Sequence, residues 1–269
     1  MGKRNSIKSE KATISVSSSA KNSSPSQKGV NAQLKELKNK YNYECSATDP
    51  VVVNLDIIPK LLFEGMVSQK ATTVENAVEN LADIFRLSSE KRIEAYQAGG
   101  HAVLVVTMKK WRLNESIQTS SCRCIQNMSC TNAEAKESFA VVGGMEAVLN
   151  AMRTFPKSQR VQRSACGALM NLLSGSDEER AILDAMADKF VKEWDGIALI
   201  VAAMRNFPKE VKIQLWGNGL FQNLAQNRNY RMKMMKSGAV TAAGGSLEQH
   251  SDDENIKQYA SKFLRIMFS

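Results

Sequence analysis

Residues 143–172 read GGMEAVLNAMRTFPKSQRVQRSACGALMNL, and residues 195–224 read DGIALIVAAMRNFPKEVKIQLWGNGLFQNL. The two stretches share the pattern AMRxFPK, a β-branched residue followed by glutamine, and a final Asn-Leu pair. In the first stretch Val161, Ala165, Leu169 and Leu172 recur at i, i+4, i+8 and i+11, which is typical of an α-helix with one buried face. The repetition therefore predicts stacked helical units.

A column of glycines sets the period of the repeat. Gly100, Gly144, Gly196 and Gly238 are separated by 44, 52 and 42 residues. A glutamine follows eighteen positions after each of the first three glycines, and an asparagine follows nine positions after each glutamine. The glutamines are Gln118, Gln162 and Gln214, and the asparagines are Asn127, Asn171 and Asn223.

Two further units are weaker matches to this frame. The fourth glycine is followed by the same apolar pattern with one extra residue, and residues 74–84 fit the frame as a degenerate first unit. Terminal units of solenoids commonly depart from the consensus, because one of their faces has no neighbour to cover. We expect about five units, near residues 50–98, 99–142, 143–194, 195–237 and 238–269.

Each unit is predicted to contain three helices. Residues 144–153 form a short amphipathic helix that ends at Phe155-Pro156, and the long apolar stripe follows it. Another helix begins at Asp177, where acidic residues in the first turn suit the helix dipole. The β-favouring run at residues 103–106 lies in a helical column of the repeat, so we interpret it as helix as well.

This frame resembles the armadillo repeat, and the resemblance covers residues 50–269. It implies an all-α, armadillo-like, right-handed superhelical solenoid, and it implies protein binding as the function. In that family the third helices line a concave groove, where an asparagine at the end of the motif hydrogen-bonds the backbone of an extended peptide. HEAT repeats are the alternative architecture.

The resemblance implies a row of groove residues in this chain. The matching positions are Asn127, Asn171, Asn223, Asp83 in the weak first unit, and Arg123. An amide offers one acceptor and two donors, enough to hold a peptide N–H and C=O together. The alternative is that these asparagines cap or bridge turns within their own repeats.

One departure from the family concerns the residue four positions before each asparagine. Groove-type nuclear-import receptors carry tryptophan there, whereas this chain has Arg123, Gly167 and Gly219. Recognition of a basic nuclear-localisation peptide in that manner is therefore not implied. Trp216 lies seven residues before Asn223, and we interpret it as a packing residue.

The first 48 residues differ from the rest in composition. They are rich in serine, lysine and asparagine. Nine lysines and arginines against three glutamates give them a net charge of +6, out of +9 for the whole chain. Their apolar residues are too isolated to close a core, so we expect a disordered tail with at most a short helix at residues 31–40. The start MGKRNS matches the pattern for myristoylation of Gly2. Cations next to the acyl chain would support a reversible membrane anchor, and they are Lys3, Arg4, Lys8 and Lys11.

Chemistry-bearing motifs are sparse. Cys122, Cys124 and Cys130 have metal-like spacing, but no fourth ligand lies nearby, and Cys122 and Cys166 share one repeat position. We therefore interpret the cysteines as small core residues and expect no metal and no cofactor. The chain has two histidines and no glycine-rich phosphate loop, so catalysis is not expected.

These features predict a cytoplasmic interaction module or adaptor that binds an extended or helical segment of a protein partner. The N-terminus predicts peripheral membrane contact in addition. One alternative is a nucleic-acid-binding protein that uses the basic tail, with the helices as a scaffold. Another is a regulatory subunit of a larger complex. Nucleic acid and small-molecule substrates are not the expected partners of the helices.

Overall fold

The computed structural model describes residues 68–130, 132–175 and 180–269, with the side chains of residues 180–182 excepted. Several sequence predictions lie outside these residues. They are the tail at 1–48 with its helix at 31–40, the lipidation site Gly2, the basic residues Lys3, Arg4, Lys8 and Lys11, the first part of the unit near 50–98, and the acidic helix start at Asp177.

Thirteen α-helices and no strand make up the described part of the chain. Their bounds are α1 Ala71–Leu87, α2 Ser89–Gln97, α3 Gly100–Lys110, α4 Glu115–Met128, α5 Ala133–Val142, α6 Gly144–Thr154, α7 Gln159–Leu172, α8 Arg180–Asp188, α9 Gly196–Asn206, α10 Val211–Ala225, α11 Arg228–Lys236, α12 Ala239–Gln249 and α13 Glu254–Met267.

The helices group into three-helix units, as the period predicts. The units are α2–α4, α5–α7, α8–α10 and α11–α13, and α1 takes the place of the third helix of a preceding unit. The third helices α1, α4, α7, α10 and α13 pack side by side in chain order, and the second helices form a neighbouring row. The run at residues 103–106 is helical within α3, which confirms that the period outweighs its local β preference.

Short polar residues cap the start of three of the five third helices, α4, α7 and α13. Asn114, Ser158 and Asp253 each accept a hydrogen bond from the backbone N–H three residues later, at 3.0–3.2 Å. The boundary between first and second helix needs a left-handed residue, and Gly143 supplies it with φ of 83°. Asp195 takes that role in the third unit with φ of 50°, a region that aspartate tolerates better than most residues.

The predicted apolar stripe is the core of each unit. Val161, Ala165, Leu169 and Leu172 are all fully buried. The cysteine interpretation is confirmed for Cys122, Cys124 and Cys166, which lie in the same core. Burial raises the pKa of the Cys122 and Cys166 thiols to about 12, so both stay protonated and pack as small apolar groups.

A buried glutamine joins the second helix of a unit to its third helix. The amide nitrogen of Gln162 donates to the carbonyl oxygens of Met152 at 2.9 Å and Phe155 at 3.0 Å. Gln118 and Gln214 make the same pair of bonds, with distances of 2.9–3.1 Å, to Met108 and Trp111 and to Met204 and Phe207. We call this arrangement the glutamine clamp. It supplies a donor to a carbonyl that the end of the second helix leaves unpaired, here that of Met152, whereas the Phe155 carbonyl also accepts from the Ser158 backbone N–H at 3.1 Å.

The long first helix of the third unit packs onto the next helix. After α8 the chain makes a π-helical turn, Lys189–Glu193, in which Phe190 and Val191 are buried. The Phe190 ring fills the space above Gly196, where any Cβ would collide with it. The end of this long helix therefore packs against the start of α9.

Truncating the core stripe should destabilise the solenoid strongly. We expect Leu169→Ala to lower the free energy of unfolding by about 2 to 5 kcal/mol, because a cavity replaces a fully buried side chain. Leu87→Ala is the matched control, since Leu87 is 74% exposed, and it should change stability by less than about 0.5 kcal/mol. Chemical denaturation of both variants gives the comparison, and equal effects would contradict the assigned core.

Breaking one glutamine clamp should destabilise the protein measurably. Gln162→Leu keeps the volume but leaves the Met152 carbonyl oxygen without its donor, so we expect a loss of about 1 to 3 kcal/mol. Gln258→Leu, at an exposed position of α13, should stay within about 0.5 kcal/mol. A Gln162→Leu variant as stable as the native chain would show that the clamp is dispensable.

Candidate functional site

The predicted groove residues lie on one face of the row of third helices. Residues at i, i+4, i+7 and i+11 share a helix face, and in α4 this stripe runs through Ser116, Ser120, Arg123 and Asn127. The same positions recur on the other third helices, where the last member is Asp83 in α1, Asn171 in α7, Asn223 in α10 and Ile266 in α13. We call this surface the asparagine face.

Two of the asparagines bridge adjacent third helices. The amide nitrogen of Asn127 donates to the carbonyl oxygen of Ala82 in α1 at 3.3 Å, and that of Asn171 donates to the carbonyl oxygen of Gln126 in α4 at 2.7 Å. A carbonyl oxygen only accepts, so the NH₂ group of each amide must point toward the preceding helix. The bridges therefore run between units and not within them.

Asn223 makes the equivalent bridge through a serine. Its amide nitrogen donates to the hydroxyl oxygen of Ser174 at 3.1 Å, and that hydroxyl in turn donates to the carbonyl oxygen of Met170. Met170 holds the repeat position of Ala82 and Gln126. All three asparagines thus connect to the same point of the preceding third helix, and the row stays in register.

These bridges use only part of each amide. Within the described residues, the side-chain oxygen Oδ1 of Asn127, Asn171 or Asn223 accepts no hydrogen bond, and all three side chains are partly exposed. A side chain that is oriented by one bond and still offers an acceptor is suited to hold a peptide N–H.

At the first end of the row an ion pair replaces the amide. The Arg123 guanidinium in α4 donates to the Asp83 carboxylate in α1 at 2.5 Å, and the two side chains are 29% and 52% exposed. The structure therefore brings Asp83, Arg123 and Asn127 together at one junction. Because both charges are partly solvated, the pair orients the side chains more than it stabilises the fold.

The two glycines that stand in place of tryptophan allow close packing of the third helices. The Gln126 side chain occupies the space that a Cβ on Gly167 would need. The Met170 side chain lies over Gly219, where its Cε would be 2.9 Å from an added Cβ, and the Tyr259 ring approaches from α13 to 3.8 Å of the same point. At these positions the surface is therefore formed by side chains from the neighbouring helices.

In the described ranges there is no group of three or more His, Cys, Asp or Glu side chains placed to hold a metal ion. None of the helices in those ranges combines the length and the apolar character needed to cross a lipid bilayer.

One curated relative matches part of the sequence. It is Protein aardvark of Dictyostelium discoideum, which is 30% identical over 117 residues. The match covers 42% of this chain but only 16% of that protein, and no family model matches the chain.

Engineered and designed proteins are among the solved structures that superpose on this chain. An engineered protein superposes with a TM-score of 0.62 at 22% identity, over 79% of this chain and 48% of its own length. A designed armadillo repeat protein in complex with the peptide (KR)4 superposes with a TM-score of 0.60 at 18% identity, over 91% of this chain and 95% of its own length. Computationally designed armadillo repeat proteins for modular peptide recognition give 0.61 at 18% identity, over 90% and 95%. The chain has an all-α, armadillo-like repeat fold.

Sequence reasoning found the asparagine row but not its partners. Gln126, Met170 and Ser174 share the face through contacts between units, and the sequence shows them only as variable positions. One signal was available, because Gln126 and Met170 directly precede an asparagine of the column. What a position one residue from the motif packs against depends on the distance between adjacent helices, which the period alone does not determine.

Removing one bridge should weaken the protein modestly. Asn171→Ala abolishes the 2.7 Å bond to Gln126, and we expect it to cost about 1 kcal/mol because the site is only partly buried. Asn229→Ala, at an exposed position of α11, should cost less than about 0.5 kcal/mol. Thermal denaturation compares the two, and an unfolded Asn171→Ala protein would contradict the expected modest effect.

Proposed function

We propose that this chain is a protein-binding scaffold whose asparagine face holds an extended segment of a partner protein. In this role it acts as an adaptor and not as a catalyst. The whole row takes part: Asn127, Asn171 and Asn223 bind the partner's backbone, and the Asp83–Arg123 pair forms its polar end.

One observation carries this proposal. The amides of three successive units are held at the same point of the preceding helix, and each keeps a free acceptor on a partly exposed side chain. A repeated donor and acceptor along a row of parallel helices matches the repeated N–H and C=O groups of an extended chain. Rigid placement also lowers the entropic cost of binding.

The structural neighbours support the same proposal. Two of the designed armadillo proteins carry peptide binding in their descriptions, one in complex with (KR)4 and one for modular peptide recognition. Their identity to this chain is 18%, so they support the fold and the general manner of binding, while the partner of this chain must be sought by experiment.

The amino terminus adds a second component to the proposal. A myristoyl group on Gly2, with Lys3, Arg4, Lys8 and Lys11 beside it, would tether the scaffold to a membrane. The support for this tether is the sequence pattern alone, because these residues lie outside the described part of the chain.

The test is partner capture that depends on the asparagines. The full chain is used as bait beside an Asn127→Ala/Asn171→Ala/Asn223→Ala variant, and the control variant is Asn150→Ala/Asn229→Ala, whose changes lie on second and first helices. We expect the triple variant to lose about tenfold or more of the capture of a specific partner, since each amide bond contributes on the order of 1 kcal/mol. The control variant should retain it.

The three substitutions together also remove three bridges between helices, so the triple variant could lose capture by unfolding. Circular dichroism shows whether it is still folded. Single variants at Asn171 and Asn223 that stay folded should each lose part of the capture. Partners that bind the triple variant as well as the native chain would place the binding surface elsewhere, and the groove assignment would then be wrong.

A further inference from the structure

The asparagine face changes its charge from one end to the other. Helix α1 carries Glu75, Glu79 and Asp83 against Arg86, and α4 carries one glutamate and one arginine. Helices α7, α10 and α13 together carry six cations and a single carboxylate. The cations are Arg160, Arg163, Lys212, Lys257, Lys262 and Arg265, and the carboxylate is Glu254, which pairs with Lys257 at 2.7 Å.

Most of these cations are available to a ligand. Arg160, Arg163 and Lys212 are exposed, and in the described ranges none of the three forms an ion pair. Arg160 and Lys212 hold the first position of the stripe that ends at Asn171 and Asn223. Arg160 and Lys212 therefore lie on the asparagine face, about three helical turns before Asn171 and Asn223, and Lys262 lies on the same face of α13.

An apolar patch lies between these charges. Met170 from α7 and Tyr259 from α13 approach Gly219 from the two neighbouring helices. Trp216, one turn earlier in α10, is half-buried, and its ring centroid lies 5.9 Å from the ammonium nitrogen of Lys212. Because Met170 covers Gly219, a bulky apolar side chain of a ligand would pack against the partly exposed rings of Trp216 and Tyr259.

From these observations we infer that the α7–α10–α13 part of the asparagine face binds an acidic peptide segment that packs an aromatic or large aliphatic side chain against Trp216 and Tyr259. This inference rests on the proposed function and names the class of its partner. Charge complementarity carries it: a carboxylate-rich segment pairs with Arg160, Lys212 and Lys262, and Asn171 and Asn223 hold its backbone.

The edge of the face favours a peptide over nucleic acid. Carboxylates lie at or next to the first turns of the third helices, where Glu115 accepts from Ser158 at 2.6 Å and Glu210 accepts from Gln159. A polyphosphate backbone that follows the row would run along these carboxylates. A peptide carries its charges on separate side chains and can direct them to the cations.

The peptide (KR)4 provides a matched negative control. It was solved with a designed armadillo protein of the same fold, yet its charge has the sign of α7, α10 and α13 in this chain. We expect the full chain to bind a labelled peptide of glutamates and aspartates around a central phenylalanine at least about tenfold more tightly than the Gln/Asn version of that peptide. It should bind (KR)4 more weakly still at this site.

Charge reversal tests which part of the face is used. The Arg160→Glu/Lys212→Glu variant should lose about tenfold or more of its affinity for the acidic peptide, and it should gain affinity for (KR)4. Arg228→Glu/Lys236→Glu makes the same change of net charge on exposed positions of α11, and it should stay within about twofold once salt near 0.15 M screens distant charges. Arg160→Gln/Lys212→Gln provides a milder variant if the reversal impairs folding.

Each outcome decides between the two proposals. Binding of the neutral or basic peptide at equal or higher affinity, with dependence on Asn171 and Asn223, would overturn the acidic class and leave the proposed function standing. Tighter binding of oligouridylate than of the acidic peptide would overturn it in favour of nucleic acid. If none of these probes binds and partner capture is also independent of the asparagines, both proposals fail.

Discussion

The glutamine clamp is the interaction on which the rest of the structure depends. A helix that ends inside a protein leaves carbonyl groups without partners, and burying them unpaired would cost more than the packing around them returns. In three successive units one amide donates to a carbonyl that the second helix leaves unpaired and to another in the following turn, and so ties the third helix to the second. Because the glutamine of the clamp lies nine residues before each asparagine, it also fixes the position of that asparagine on the surface. The register of the asparagine face follows from a buried hydrogen bond that makes no contact with any partner.

The asparagines have two roles in this arrangement. Each gives one hydrogen of its amide to the preceding third helix and keeps its acceptor exposed. Gly167 and Gly219 support this arrangement, because they let the side chains of Gln126 and Met170 fill the space between adjacent helices. A tryptophan at either position would displace these side chains and change the floor of the face. The chain therefore shares the armadillo-like fold but presents a surface with different chemistry from that of a tryptophan-lined groove.

Much of the fold could be predicted from the sequence, and the reason is the period. Leu169 and its stripe, the three helices per unit and the helical state of residues 103–106 all follow from spacing that recurs in several copies. The asparagine row was also visible, because identical residues recurred in one column. Contacts between units were not visible: the bridge from Asn171 to Gln126 and the detour of Asn223 through Ser174 depend on side chains that differ from unit to unit. The charge gradient was hidden for a similar reason. The small net charge of +3 over residues 49–269 does not show which helix face carries the cations.

The central claim is that the asparagine face, held in register by the clamps, is where a partner binds. The most direct measurement is an NMR titration of the full chain that follows the side-chain amide signals of the asparagines as the acidic, phenylalanine-containing peptide is added. The account predicts that the signals of Asn171 and Asn223 shift with a common saturation curve while those of Asn150 and Asn229 stay in place. Shifts confined to Asn150 or Asn229, with Asn171 and Asn223 unchanged at saturation, would contradict it.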